Sequence, residues 1–206
     1  MNGDTTATLR STTSQHASTE AADHSIAVVI LAAGFSQRLG RPKQLLPLDG
    51  ETLLDHAIGV ALASRLGPVL VVTRRELGVV ERAGVAYIHN GKAAEGIASS
   101  LRAGIAEAQR RGCEGALVMT CDQPAVTAEH LRALTANPSC ITASRYHRRN
   151  GVPAYFPREA FAALRRLRGD VGARDLLLAA EAVEAQALAV DIDTEADLAQ
   201  WQASSR

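Results

Sequence analysis

Arg38, Arg41 and Lys43 stand close behind an apolar run that ends at Gly34. Gly34 and Gly40 permit backbone conformations that turn N–H groups inward, and the small Ala32 and Ala33 let a ligand approach the chain. A polyphosphate is held by both parts together: a nest of N–H donors, and cations that offset its charge. The spacing excludes two familiar phosphate binders. A P-loop requires Gly-x4-Gly-Lys-Ser/Thr, and a dinucleotide fingerprint requires Gly-x-Gly-x-x-Gly. Here Gly40 is the sixth residue after Gly34, and Lys43 comes only after Arg41 and Pro42. The bland alternative is a Gly-rich turn with surface basic residues. Three cations directly behind a buried strand make it the weaker reading.

A carboxylate after a second apolar run extends this chemistry. Val118-Met119-Thr120-Cys121-Asp122-Gln123-Pro124 places Asp122 where a buried strand would meet a ligand. Mg²⁺ takes one or two protein carboxylates and completes its octahedron with water and phosphate oxygens, so one well-placed Asp suffices. A turn-starting or helix-capping Asp122 is the alternative. Cys121 reads as a small core neighbour, since none of the six histidines has a spacing that would partner a nucleophile. Further along, alternation places Asp191 and Asp193 on the same side of a strand. Asp193 or Thr194 can also cap the last helix, with Asp197 completing a capping box.

Hydrophobic patterning supplies the frame for these residues. Ile26 to Ala32 is wholly apolar, as expected of a strand covered on both faces. Leu53 to Leu66 reads as a helix with Leu54, Ile58, Ala61 and Leu62 on one face. Pro68 to Thr73 and Val85 to Ile88 read as strands. Ile97, Leu101 and Ile105 recur at four-residue steps in a helix over Gly96 to Arg110. Ala116 to Thr120 is a fourth strand. A helix from Ala128 to Ala136, a strand near Cys140 to Ala143, and an irregular stretch through Phe156 come next. Two helical segments, the run Ala189 to Asp193 and a closing helix from Glu195 finish the pattern. Alternating strands and helices predict an α/β domain: a Rossmann-like, doubly wound, mainly parallel sheet with helices on both faces. Such sheets bind ligands at the carboxyl ends of their strands, which is where Gly34 and Asp122 fall.

Composition narrows the function classes. Lys plus Arg and Asp plus Glu are 22 each among 206 residues, so no basic excess exists for nucleic acid or an anionic membrane. No apolar run approaches the ~20 residues of a membrane span. Three cysteines without CxxC spacing suggest neither a disulfide framework nor a zinc site, and a reducing cytoplasm is the expected compartment. Residues 1–25, rich in Thr and Ser and poor in large apolar residues, are expected to be a disordered leader without a secretory signal. Residues 26–206 are expected to form a single domain.

The segment from Leu31 to Pro47, LAAGFSQRLGRPKQLLP, resembles the LAAGxSxRxGxPKxLLP signature of the molybdopterin nucleotidyltransferases. That family belongs to the wider group of nucleotide-diphospho-sugar transferase type, and its cytidylyltransferase branch is the most similar. The resemblance implies that Leu31, Ala32, Ala33, Gly34 and Ser36 bind the nucleotide, with Arg38, Lys43 and Asp122 catalytic. It implies Asp122 and Asp193 as metal ligands for Mg²⁺, with Mn²⁺ as a substitute. Asn90, Gly96, Ser99 and Ser100 resemble the family's N-x5-G-x2-SSL element, which leads into a helix over the nucleoside; serines at a helix start are also common caps. Gly151, in Gly-Val-Pro-Ala-Tyr-Phe, and Asp170 and Arg174, in Gly-Asp-Val-Gly-Ala-Arg, resemble elements that line the acceptor side. Where relatives often have His, this chain has Val152, which leaves that acceptor contact open. The basic run Arg145 to Arg149 reads first as a solvated loop.

The implied reaction moves CMP from CTP to the phosphate of molybdenum-bearing molybdopterin and releases pyrophosphate. The implied partners are CTP and that acceptor, with room for a transient contact with a recipient molybdoenzyme. Three rivals stand beside it: guanylyl transfer to the same cofactor, transfer to another phosphorylated small molecule, and a non-catalytic cofactor-binding chaperone. The guanylyl signature carries a second Gly in place of Ala33 and Gly-x-Asp-Lys in place of Arg41-Pro42-Lys43. A chaperone would not need Lys43 and Asp122, and both are present.

Overall fold

Strand β1 (Ile26–Leu31) is apolar on both sides, and that dictates the architecture. In this computed structural model, which describes residues 25–204, Val28 and Ile30 pack into one core and Ala27 and Val29 into another. The leader expected at residues 1–25 lies outside the described residues, apart from Ser25. A hairpin of β2 (Pro47–Leu48) and β3 (Glu51–Thr52) leads into α1 (Leu53–Ser64), capped by Thr52 Oγ1 accepting from the Asp55 N–H at 3.0 Å. Strand β4 (Val69–Thr73) is buried along its whole length, and β5 (Val85–His89) forms one edge of the sheet. Helix α2 (Ile97–Arg110) precedes β6 (Gly115–Thr120), and α3 (Ala128–Leu134) precedes β7 (Thr142–Tyr146). Strand β8 (Arg149–Pro157), the single-turn helices α4 (Phe161–Leu164) and α5 (Arg174–Leu177), β9 (Glu181–Glu184) and α6 (Glu195–Ser204) complete the order.

The seven-stranded sheet runs β5-β4-β1-β6-β8-β7-β9. All its strands share one direction except β8, which is antiparallel to both β6 and β7. Leu54 and Ile58 of α1, with Leu131 and Leu134 of α3, pack on Val28, Ile30 and Val71. Leu101 and Ile105 of α2, with Phe161 and Leu164 of α4, pack on the opposite face against Val29, Leu70 and Val118. This is the Rossmann-like doubly wound arrangement that the pattern predicts. Each fully buried Leu or Ile contributes about 1.5–3 kcal/mol relative to exposure. A third, smaller core of Leu46, Leu48, Leu53, Ile192 and Leu198 fastens α6 and the segment before it to the hairpin. Among the described residues no helix is long and apolar enough to cross a membrane.

Three local expectations are corrected. The stretch through Phe156 is not irregular but contains β8, whose Gly151, Val152 and Pro153 hide its alternation. Ser144 pairs with Gly151 while Ala143 pairs with Ala154, so Val152 and Pro153 fall in a bulge, where a residue without an N–H is tolerated. Strand β9 stands where only helices were expected, because its exposed ends Glu181 and Glu184 mark a polar edge strand. Asp191 and Asp193 do not lie on a strand. A 3-10 turn over Gln186–Ala189 precedes them, and their segment is held instead by the Ile192 N–H donating to the Asp122 carbonyl at 2.8 Å.

Candidate active site

Strands β1 and β6 end side by side, with Leu31 opposite Thr120. The residues that follow them open into a cleft of about 670 Å³. Leu31, Ala33, Gly34, Ser36, Arg38 and Lys43 line it from the first loop, Asp122 and Asp193 from the second and last, and Gly96, Ser100 and Asp170 complete it.

Lys43 is where the two carboxylates meet. Its Nζ donates to Asp122 Oδ2 and, at 3.0 Å, to Asp193 Oδ1. Burial alone would lower the Lys43 pKa, but the charges and hydrogen bonds of Asp122 and Asp193 outweigh it and hold the group above lysine's ordinary value. Asp193 also accepts from Arg38 Nη2 at 2.5 Å. Burial works to raise the Asp193 pKa, yet Lys43 and Arg38 together hold it below the usual carboxylate range. Burial, and then the charges of Asp122 and Asp193, push the neighbouring Asp191 up to about 6. The Arg38 side chain is 75% exposed, so its solvated end can turn toward a bound anion.

The local sequence explains how Asp193 arrives there. Ile192 is fully buried in the third core and tied to the Asp122 carbonyl, which carries Asp193 to the cleft. Thr194, not Asp193, begins α6: Thr194 Oγ1 accepts from the Asp197 N–H at 3.2 Å, and Asp197 Oδ2 accepts from the Thr194 N–H at 2.7 Å. That reciprocal box leaves the Asp193 carboxylate for the site. Two carboxylates whose oxygens reach one ammonium suit a hard divalent cation that fills its remaining positions with water and phosphate. Among the described residues no group of three or more His, Cys, Asp or Glu gathers as a metal centre. Asp122 and Asp193 are the two carboxylates that Lys43 brings together at the cleft.

Gly96 has φ +102°, and a Cβ there would lie 2.5 Å from the Gly169 backbone, so only glycine fits. The close approach lets Asp170 Oδ1 accept from the Ile97 N–H and the Gly169 carbonyl accept from the Ala98 N–H, each at 3.1 Å. Asp170 therefore caps α2 from a distant segment as well as lining the cleft. Asn90 Nδ2 donates to Ser99 Oγ at 2.9 Å and to Ser100 Oγ at 3.0 Å. Ser100 faces the cleft, while Asn90 and Ser99 support it without lining it. Ala32 is buried behind the loop. Gly151 and Arg174 do not line the cleft: Gly151 leaves room for the Tyr146 ring, and Arg174 is exposed at the start of α5. The basic run forms the β7–β8 hairpin. Sequence reasoning missed Gln44, which is 1% exposed and bonded to the first loop. Its one signal is a polar residue set directly before Leu45 and Leu46.

MobA-like NTP transferase domains match residues 28–185 of this chain. The chain belongs to that family. Within reach of it, the purine catabolism protein PucB of Bacillus subtilis is 37% identical over 161 residues, 72% of this chain and 78% of that relative. The molybdenum cofactor cytidylyltransferase of Escherichia coli is 29% identical over 62% of this chain and 66% of its own length. The molybdenum cofactor guanylyltransferase of Acidiphilium cryptum is 30% identical over 82% and 90%. Rv0371C of Mycobacterium tuberculosis, solved in complex with manganese, superposes with a TM-score of 0.72 at 27% identity, covering 87% of this chain and 99% of that one. The family is one of nucleotide transferases, and its fold and this cleft agree.

Proposed function

We propose that this chain is a molybdenum cofactor cytidylyltransferase, joining CMP from CTP to the phosphate of molybdenum-bearing molybdopterin. The observation that carries the reading is the meeting of Lys43, Asp122, Asp193 and Arg38 at the ends of β1 and β6. Family membership, and the likeness to a relative named as a cytidylyltransferase, support it.

An acceptor phosphate oxygen attacks the α-phosphorus of CTP. The bond from that phosphorus to the bridging oxygen breaks, and pyrophosphate leaves. The attacking oxygen is ionised near neutral pH, since a phosphate monoester has a second pKa of about 6, so no general base is required. The work left to the protein is positioning and charge stabilisation. Asp122 and Asp193 would hold Mg²⁺ or Mn²⁺, which when bound neutralises charge on the nucleotide phosphates. Lys43, on its flexible stem, turns from the carboxylates to the α-phosphate, and the exposed Arg38 engages the departing pyrophosphate. Asp170 keeps the start of α2, and with it Ser100, in place beside the nucleoside.

Base choice rests on Ala33, which lines the cleft at 2% exposure where the guanylyl signature has glycine. Competing CTP with GTP on the molybdopterin acceptor, and weighing the dinucleotide products, tests it. CTP is expected to win by at least tenfold in kcat/KM, which needs only ~1.4 kcal/mol of transition-state discrimination. An excess of guanine product would establish the guanylyl alternative, which the Acidiphilium relative keeps in view. Nucleotide turnover with another phosphorylated acceptor, or binding without turnover, would establish the other two.

A further inference from the structure

We propose that Gln44 is a positioning residue that aims the first loop's N–H groups at the nucleotide phosphates. The inference rests on the transferase reading above and adds a residue to it. Gln44 Nε2 donates to the Ala32 carbonyl at 3.0 Å and to the Gly34 carbonyl at 2.9 Å. Both partners are carbonyl oxygens, so only the amide's NH₂ end can serve them and its orientation is fixed by chemistry.

The consequence follows from peptide geometry. In a planar trans peptide the C=O and the next residue's N–H point in opposite directions. Drawing the Ala32 and Gly34 carbonyls to Gln44 therefore turns the N–H groups of Ala33 and Phe35 the other way. Both residues line the cleft. The neighbouring Lys43 N–H is fastened to Ser36 Oγ at 3.0 Å, so the turn carrying Lys43 and Gln44 grips the loop at three points. Gln44 does this at a cost. Its Oε1 is buried and has no hydrogen-bond partner among the described residues. Buried cores avoid such an acceptor, and a site that needs the two donors explains why it is kept.

The test measures binding of CTP and of inorganic tripolyphosphate, each with Mg²⁺, by calorimetry. Gln44→Met keeps the length and volume and removes the donors; Gln44→Glu keeps size and polarity and sets a carboxylate against two carbonyls. Both ligands are expected to weaken at least tenfold in Gln44→Met and further in Gln44→Glu, by the same factor for each ligand. In turnover the loss falls on the KM for CTP rather than on kcat or the KM for the acceptor. Affinities within twofold of wild type in either folded variant would overturn the role, as would a loss confined to CTP. If the variants do not fold, the wild type decides: the Ala33 and Phe35 amide NMR signals must shift on adding tripolyphosphate, and unmoved signals refute the proposal. A wild type that binds neither ligand would instead count against the transferase reading itself.

Discussion

Lys43 and Asp122 are 79 residues apart in the chain and form an ion pair where β1 and β6 end. Asp193 joins them from the far end of the sequence, and the three side chains are 20%, 13% and 30% exposed. Removing the ammonium takes the ion pair from Asp122 and leaves Asp193 only Arg38, with little solvent to screen the two carboxylates. Lys43→Met is expected to cost about 2 kcal/mol, below the ~3–5 kcal/mol of a fully buried pair. For a domain of this size that lowers Tm by roughly 4–8 °C. Mn²⁺ or Mg²⁺ should then raise Tm more in the variant than in wild type, because the ion replaces the lost charge. Equal metal shifts in the two proteins would contradict the assignment of Asp122 and Asp193 as a cation seat.

Asp122→Asn keeps the side chain's shape and removes its charge. Turnover is expected to fall by at least ~10²-fold, the scale seen when one preorganised electrostatic group is deleted. Excess Mg²⁺ should not restore it. Steady-state rates across a metal titration check this, and near-wild-type turnover would remove Asp122 from the metal site.

Gly96→Ala places a Cβ against the Gly169 backbone at a φ of +102°. Strain and overpacking together predict a loss of about 2–3 kcal/mol, a Tm drop of roughly 4–12 °C. Asp170→Ala, which only uncaps α2, should cost about 1 kcal/mol. Thermal melts of the two variants should rank in that order.

The three thiols should differ in reactivity. Cys113 and Cys121 are buried, and Cys140 is partly exposed. Burial first, and the Asp122 charge second, push the Cys121 thiol up to about 12 against the opposing pull of Lys43. At pH 8 its thiolate fraction is negligible, and it rises only as the pH nears 12. Brief labelling of the native protein at pH 8, read by mass, should therefore modify Cys140 alone.

The sequence was most legible where one force dominates. Ile26 to Ala32 and Ala116 to Thr120 are apolar on both faces, and only a covered parallel sheet accommodates that. The strand-end rule points to Asp122, which lies just past the end of β6 and lines the cleft. Legibility failed where tertiary contacts override local pattern. Nothing local reveals that the Val152–Pro153 bulge belongs to a strand, or that Asp170 caps a helix formed by residues far upstream. Gln44 escaped for the same reason, because a buried amide shows its purpose only once the carbonyls it serves are folded beside it.

The third core gives the protein a built-in order of events during its own synthesis. Leu46, Leu48 and Leu53 emerge early, but their partners Ile192 and Leu198 follow every strand of the main sheet. Ribosomes add ~5–20 residues per second, so the sheet can assemble while the segment bearing Asp193 is still being made. Until that segment docks, Lys43 has only Asp122 and Arg38 lacks its Asp193 partner. A nascent chain therefore gains the shape of its sheet before the last side chain of its cleft arrives.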